Sequence, residues 1–230
     1  MTTIKKSNPA VLEVAPVTIA SFNVRIRGLS PLIVHKWSEK AKREMLDKQM
    51  NVTKTKKKDA KNPVADFIGA AYWMTEEPKI EPSDTPETAE QKFVEAVESG
   101  ARWGFPVTAI KQAAIMAASR NEIDVKTTTL RGSFFIHGEG PDMLAEIKGS
   151  IPEMREDMVR VGGISKTADI RHRPMFADWY MDLTIDYNAN GPITPEQIVN
   201  LINLGGFTCG IGEWRPEKDG NFGMFQVVAE

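Results

Sequence analysis

The chain has 230 residues, of which 41% are hydrophobic, enough for one elaborated globular domain or two small ones and too apolar for a disordered chain. Its 29 basic and 31 acidic residues leave a net charge of −2, so any site for a polyanion must come from local segregation of charge. The single cysteine, Cys209, excludes an intramolecular disulfide and a cysteine-cluster metal site, and it is typical of a reducing compartment.

The sequence contains no membrane signal. The N-terminal residues lack an apolar segment of signal-peptide length, and no run reaches the ~18 apolar residues of a membrane span. We therefore expect a cytoplasmic protein, in a bacterium or a phage-infected host, with no membrane partner.

Hydrophobic periodicity and composition predict two strands and a helix between residues 17 and 137. Residues 17–28 are expected to form a strand, because apolar and polar residues alternate from Phe22 to Ile26. Apolar residues recur at helical spacing over 106–120, which predicts a helix. The segment 130–137, LRGSFFIH, is rich enough in aromatic and β-branched residues to predict a second strand.

The clearest elements lie in the last quarter of the chain. Residues 178–187 alternate strictly between apolar and polar side chains, which predicts a half-buried strand. A helix is expected after Thr194, which forms a capping box with Gln197, and Gly205 is predicted to cap its C-terminus. The last strand is predicted at 222–228.

In order, these elements are strand, helix, strand, strand, helix and strand. This βαββαβ order predicts an α+β fold with a ferredoxin-like or RRM-like core. We expect one domain over residues 1–230. Its core would comprise about 17–28, 105–137 and 177–230, with two large insertions at about 29–104 and 138–176.

The first insertion has an uneven charge. Residues 36–62 contain ten basic and four acidic residues, whereas 63–100 contain nine acidic and two basic ones. This reversal predicts a basic loop, including lysines 54, 56, 57 and 58, that could clamp a polyanion beside an acidic helical segment. The alternative is a solvated surface insertion whose charges only confer solubility.

The C-terminal third also carries a family resemblance. It contains RHRP from Arg171, a strand that opens at Trp179, the capped helix TPEQIVNLINL, and the run GGFTCGIGEWRPEKDGNFGMF from Gly205. A glycine-rich loop between the last helix and the last strand of an RRM-like core, with RGLSPL after the first strand, resembles the RAMP superfamily of CRISPR-associated proteins. The layout is most similar to the backbone subunit of Cascade-type complexes, and it also resembles uncharacterised tailed-phage proteins.

This resemblance covers about 16–37, 102–137 and 170–230. It implies a protein that binds RNA or single-stranded DNA along the backbone and stacks into homo-oligomers without cleaving its ligand. The chain is short for a Cascade backbone subunit, which favours a stand-alone or phage-borne relative.

Two basic segments beside glycines are candidate phosphate contacts. In the glycine-rich run, Arg215 and Lys218 supply charge, while the glycines allow backbone N–H groups to approach phosphate. Trp214 and Trp103 each lie beside an arginine near glycines, a context that suits base stacking or packing under loops. Residues 160–173 contain four basic residues and one acid, and clustered guanidinium groups bind phosphate bidentately. The alternatives are glycines that serve only turns and packing, and arginines paired internally with the aspartates of 178–187.

Those aspartates do not suit a metal site. Asp178 and Asp182 would lie ~13 Å apart along one strand, whereas the ions of a two-metal centre lie ~3.5–4 Å apart. We therefore predict no metal and no cofactor. The acidic row is instead expected to pair across strands with Arg25 and Arg27.

An enzymatic alternative stays open. A metal-independent endoribonuclease of the RAMP type would need a histidine as acid or base, and His35 and His172 are the candidates. Since the sequence reveals no second acid–base partner, no catalytic residue is assigned and a non-enzyme is preferred. A third possibility is a phage interaction protein that binds a host complex.

The sequence thus predicts a non-catalytic binder of RNA or single-stranded DNA that forms homo-oligomers. The predicted contacts are Arg27, Lys36, Lys54, Lys56, Lys57, Lys58, Arg102, Arg160, Lys166, Arg171, His172, Arg173, Trp214, Arg215 and Lys218.

Overall fold

The computed structural model describes residues 15–37, 39–51, 61–161 and 167–228. In chain order the elements are β1 (Ile19–Gly28), β2 (Leu32–Ile33), α1 (Glu39–Gln49), α2 (Pro63–Gly69), α3 (Pro86–Glu98), β3 (Trp103–Pro106), α4 (Val107–Arg120), α5 (Thr127–Ser133), β4 (Phe134–Ile136), β5 (Leu144–Gly149), β6 (Glu153–Val161), β7 (Thr167–Phe176), β8 (Trp179–Asn188), α6 (Pro195–Thr208), a short 3₁₀ helix (Pro216–Lys218) and β9 (Phe225–Val228).

The predicted α+β class is confirmed, and the strands form two antiparallel sheets. The larger sheet has the order β3–β5–β8–β1–β9, and β4 pairs with the second half of β8. The smaller sheet has the order β2–β7–β6. Helices α4 and α6 contribute buried side chains to the same apolar core as β1 and β8. None of the helices in the described part of the chain is long and apolar enough to cross a membrane.

The alternation of β8 decides which face of the larger sheet is the core. Trp179, Met181, Leu183 and Ile185 are all buried, as the period of two predicts. Directly opposed residues of antiparallel strands lie on the same face, and Phe22 of β1 opposes Ile185. The other face of this sheet carries the polar residues.

The N-terminal cap of α6 is confirmed, whereas the predicted C-terminal cap is wrong. Thr194 and Gln197 form the expected capping box, but the helix continues past Gly205 to Thr208. A Cβ atom at Gly205 would lie 2.7 Å from the main chain of Ala113 and Ala114 in α4. This glycine therefore allows α6 and α4 to cross closely instead of ending the helix.

The first half of the strand predicted at 130–137 is helical. Helix α5 occupies the first part of the segment and buries Leu130, and only the three residues of β4 pair with β8. The same edge of β8 is taken farther along by the end of β5, where Gly149 opposes Trp179. In the register of β4, residues 130–132 would lie opposite 189–191, beyond Asn188 where β8 ends, so a strand over them would have no partner in β8.

Both predicted insertions contribute strands. The first includes β2 and the start of β3, and the second includes β5 and the β6–β7 hairpin. Lysines 54, 56, 57 and 58 and Lys166 lie outside the described residues.

Candidate nucleic-acid interface

A cleft of about 250 Å³ opens between α4 and the glycine-rich loop that follows α6. Two main-chain hydrogen bonds hold this loop beside β2. The N–H of Glu213 donates to the carbonyl of Ile33 at 2.9 Å, and the N–H of Gly223 donates to the carbonyl of Pro31 at 2.8 Å. The cleft is lined by the polar side chains of His35, Tyr72, Gln112, Glu213, Arg215 and Glu217.

The glycines of the loop are required by its backbone. Gly210, Gly212 and Gly223 have φ angles of +64°, +78° and +64°, a region that side chains disfavour. A Cβ atom at Gly212 would also collide with the carbonyl of Ile33. These contacts favour the alternative in which the glycines serve tight turns and packing over a cradle for phosphate.

A chain of charged groups runs into the cleft from the interior. Arg173 Nη2 lies 3.8 Å from one carboxylate oxygen of Glu213, and His35 Nδ1 lies 3.5 Å from the other. The interaction with His35, helped by Arg173, holds the pKa of Glu213 below its ordinary value, so this carboxylate is ionised at neutral pH. Glu213 thereby orients the imidazole through Nδ1 and leaves Nε2 as its other polar atom.

Tyr72 supplies a neutral hydroxyl to the same cleft. Burial raises the pKa of this phenol, and the nearby charge of Asp142 raises it further. Tyr72 therefore stays protonated at neutral pH and can donate a hydrogen bond.

Arg215 is held at the cleft in a fixed orientation. Its Nε and Nη2 donate to Glu217 at 2.9 and 2.8 Å, and its Nη1 donates to the carbonyl of Gly212 at 2.9 Å. Arg120 of α4 also donates to Glu217, at 3.3 Å. Arg120 and Arg215 thus share the carboxylate of Glu217, while the ionised Glu213 is a second carboxylate in the lining.

Two exposed tryptophans flank the contact between His35 and Glu213. Trp37 follows His35 by two residues and is 54% exposed, and Trp214 directly follows Glu213 and is 42% exposed. Each indole has a cation as its chain neighbour, Lys36 or Arg215. The structure thus brings together two tryptophan–cation pairs from opposite ends of the sequence.

Trp37 was missed from sequence because nothing placed residues 35–37 beside the glycine-rich loop. The available signal was its similarity to Trp214, since both are tryptophans next to a basic residue. Lys36 was predicted, and its Nζ lies 3.8 Å from Glu77.

Several other predicted contacts do not line the cleft and are held in ion pairs. Arg27 pairs with Asp178 at 3.4 Å, and Arg171 pairs with Asp169 at 3.4 Å. Arg102 pairs with Glu146 at 2.8 Å and with Glu139 at 3.2 Å. Arg160 and Lys218 are exposed, and neither has an ion-pair partner among the described residues.

Residues 171–173, the RHR triplet, were predicted to contact a ligand. For His172 and Arg173 this prediction is wrong, because both side chains are buried. Arg173 is 3% exposed and its Nη1 donates to Asp157 at 3.2 Å. His172 is also buried, and its Nε2 lies 3.1 Å from Glu156. Both belong to the central strand of the smaller sheet, where packing covers side chains that an edge or loop would expose. Neither is placed to contact a ligand.

The acidic row of β8 pairs across strands, as predicted. Arg25 donates to Asp182 at 2.6 Å, and Lys148 donates to the same carboxylate at 2.9 Å. The hydrogen bond from Arg25 is the main cause that lowers the pKa of Asp182. In the described ranges no group of histidine, cysteine and acidic residues is arranged to hold a metal ion.

Comparisons with known proteins give limited information. No protein-family model matches the chain, and no curated protein matches it. Among solved structures, the chain is similar to the crystal structure of Cmr6 from Pyrococcus furiosus, with 10% sequence identity over 93% of this chain and 100% of that one. The TM-score is 0.35, a level at which a likeness indicates neither a shared function nor shared partners.

Proposed function

We propose that the protein binds RNA or single-stranded DNA in the cleft, without cleaving it, as a cytoplasmic homo-oligomer along the strand. The observation that carries the proposal is a pair of exposed tryptophans, each next to a cation in the chain and within two residues of His35 or Glu213, which line the cleft. Single-stranded nucleic acids are bound by aromatic stacking combined with positive charge, because every base has a face to stack and every nucleotide carries a phosphate.

The fold is compatible with this proposal. Four strands have the spatial order β9–β1–β8–β4, with α4 between β1 and β4 in the chain and α6 between β8 and β9. We interpret this order as an RRM-like core, and the chain as a stand-alone or phage-borne relative of the RAMP proteins that its C-terminal sequence resembles.

The open face of the larger sheet is a poorer candidate. An RRM stacks bases on aromatic residues of its sheet, but here that face carries Asp178, Asp182 and Asp186. Their carboxylates repel phosphate, and the cations near Asp178 and Asp182 are already paired with them. The ligand is therefore expected at the cleft.

A binding titration tests the proposal. Nuclease-treated protein is titrated against labelled single-stranded RNA, single-stranded DNA and duplex at low salt, with fluorescence anisotropy as the readout. Stacking contributes ~1–3 kcal/mol per base, so Trp37→Ala and Trp214→Ala should each weaken single-strand binding by about 5- to 150-fold.

Phe207→Ala provides the matched control. Phe207 is 62% exposed on α6, and no residue within two positions of it lines the cleft, so its removal should leave affinity unchanged. Absence of binding at low salt, or equal loss in the control, would contradict the proposal.

The geometry of His35 supports a second candidate, a metal-independent endoribonuclease. The imidazole of His35 lies next to the ionised Glu213, which orients it, and Arg215 lines the same cleft. A general acid or base needs a side chain that is held in position by such a partner. RNA cleavage in the presence of a chelator that disappears in His35→Ala would establish this activity. Intact RNA after long incubation would exclude it.

A further inference from the structure

The β6–β7 hairpin has an open edge. Among the described residues, β7 is the only strand that pairs with β6, and it does so in one unbroken register from Glu153 to Val161. Proteins usually block exposed edges with proline, lysine or a bulge. The sequence of β6, EMREDMVRV, contains neither proline nor lysine. Its five charged residues, three acids and two arginines, would oppose a strand of like charge and favour one that places opposite charges beside them.

One face of this hairpin exposes apolar side chains. Met158 is 78% exposed, and Ile170, which opposes it on β7, is 46% exposed. Glu156 and Arg160 lie on the same face as Met158, because side chains of a strand alternate with a period of two. Along the edge the face thus presents an acid, a methionine and a base in that order.

The opposite face is already occupied by internal pairs. Asp157 accepts hydrogen bonds from Arg155 at 2.9 Å and from Arg173 at 3.2 Å. Charges on that face are therefore satisfied within one chain. On the other face Met158 and Ile170 are exposed, and Glu156 lies 3.1 Å from the buried His172.

We propose that β6 pairs antiparallel with β6 of a second copy of this chain, about a two-fold axis through Met158. In this register Met158 opposes its own copy, and Glu156 of each chain opposes Arg160 of the other. Opposed residues on one face lie ~4.5–5.5 Å apart at Cβ, close enough for the ion pairs to form. Ile170 and Met158 of both copies then make a continuous apolar row across four strands.

Neighbouring registers are less favourable. A two-fold axis through Glu156 or Arg160 would place like charges directly opposite each other, which is destabilising. An axis through Asp157 or Val159 would place the exposed Met158 opposite Glu156 or Arg160, respectively, and would form neither ion pair. The axis through Met158 is the one among these five that matches charge to opposite charge and apolar to apolar.

This interface is independent of the proposed nucleic-acid cleft. The same surface is used by both copies, so the contact closes as a dimer and does not extend into a filament. A single edge-to-edge contact buries little area compared with stable dimers. We therefore expect an equilibrium between monomer and dimer that depends on protein concentration.

A charge-exchange experiment tests the register. Nuclease-treated protein is examined by sedimentation velocity over a range of concentrations. Glu156→Arg and Arg160→Glu should each weaken dimerisation by at least about tenfold, because each places two like-charge pairs in the interface. Mixed together, these two variants should form a heterodimer, since every charge then meets its opposite. Lys218→Glu, an exposed reversal outside the hairpin, is the matched control.

Cross-linking gives a second, independent readout. Cys209 is buried, so Met158→Cys introduces an accessible thiol that opposes its own copy and should form an intermolecular disulfide under mild oxidation. Met154→Cys lies on the same face but does not oppose itself, and it should remain uncross-linked. A monomer at every concentration, a mixture no better than its components, or equal cross-linking of the two variants would overturn the proposal.

Discussion

Two short segments with the same composition have opposite environments. Arg102–Trp103 and Trp214–Arg215 each join a tryptophan to an arginine near glycines. Trp103 is 6% exposed and its ring centroid lies 5.4 Å from that of Trp73, whereas Trp214 is 42% exposed and lies in the chain between two residues that line the cleft. The first segment stabilises the core, and the second is available to a ligand. Composition alone does not distinguish a structural tryptophan–arginine pair from a binding one.

The difference comes from the strands that surround the first segment. Trp103 begins β3, which pairs with β5 and places Glu146 opposite Gly104. Arg102 donates to Glu146 at 2.8 Å and lies 3.2 Å from Glu139. Its hydrogen bond with Glu146 raises the pKa of Arg102 and lowers the pKa of Glu146. Trp214 instead lies in a turn with φ of +51°, outside any sheet.

The largest expected difference between the segments is in stability. Trp103→Ala removes a buried aromatic side chain and should lower the free energy of unfolding by ~3–5 kcal/mol. Trp214→Ala should lower it by less than ~1 kcal/mol, because its side chain is partly in solvent. Chemical denaturation measures both. Equal losses would mean that the two tryptophans are packed alike, contrary to the structure.

For nucleic-acid affinity we expect the larger effect at the segment Trp214–Arg215 and the smaller one at Arg102–Trp103. Arg215→Gln removes a charge at the cleft and should weaken single-strand binding by about tenfold or more, the effect of one hydrogen bond to a charged group. The slope of log affinity against log salt should fall by ~0.7 for one lost phosphate contact. Arg102→Gln should change neither quantity in the folded protein. Titrations at several salt concentrations compare the two variants. An equal change of slope in both would contradict binding at the cleft.

The ion pairs of Arg102 should contribute modestly to stability. Arg102→Gln leaves Glu146 without its main partner, but both side chains are partly exposed, so solvent screening limits the cost to ~1 kcal/mol. A double variant that also carries Glu146→Gln should lose less than the sum of the single changes. Strict additivity in denaturation experiments would show that the pair is not coupled.

The smallest expected effect is on the response to acid. The pKa of Glu146 is lowered in the folded state, so its contribution to stability is fully present above its ordinary value of 4.5 and is lost as the pH falls through that value toward the folded pKa. The intact protein should therefore lose stability more steeply in acid than Arg102→Gln does. Unfolding midpoints measured from neutral pH down to pH 4 or below test this, and parallel curves would contradict it.

Local periodicity predicted several elements correctly. Strand β8, helix α4 and the N-terminal cap of α6 depend on neighbouring residues, and all three are present at or within one or two residues of the predicted positions. Arg25 and Arg27 also pair with the acidic row, because the alternation of two adjacent strands already fixes which side chains share a face.

Other expectations failed because they depended on distant parts of the chain. Gly205 had the composition of a helix end, but α4 approaches it so closely that only glycine fits within the helix. The RHR triplet had the composition of a phosphate site, but the neighbouring strands and Asp157 enclose Arg173. In both cases the deciding atoms come from another element.

The sequence by itself determined the α+β class, the main amphipathic elements and the polar face of the larger sheet, since these follow from spacing between near neighbours. Only the tertiary structure decided which cations are available and that Trp37 lies beside the glycine-rich loop. Availability depends on burial and on partners contributed by remote strands. For that reason the same two residue types form a packed pair at 102–103 and an exposed one at 214–215.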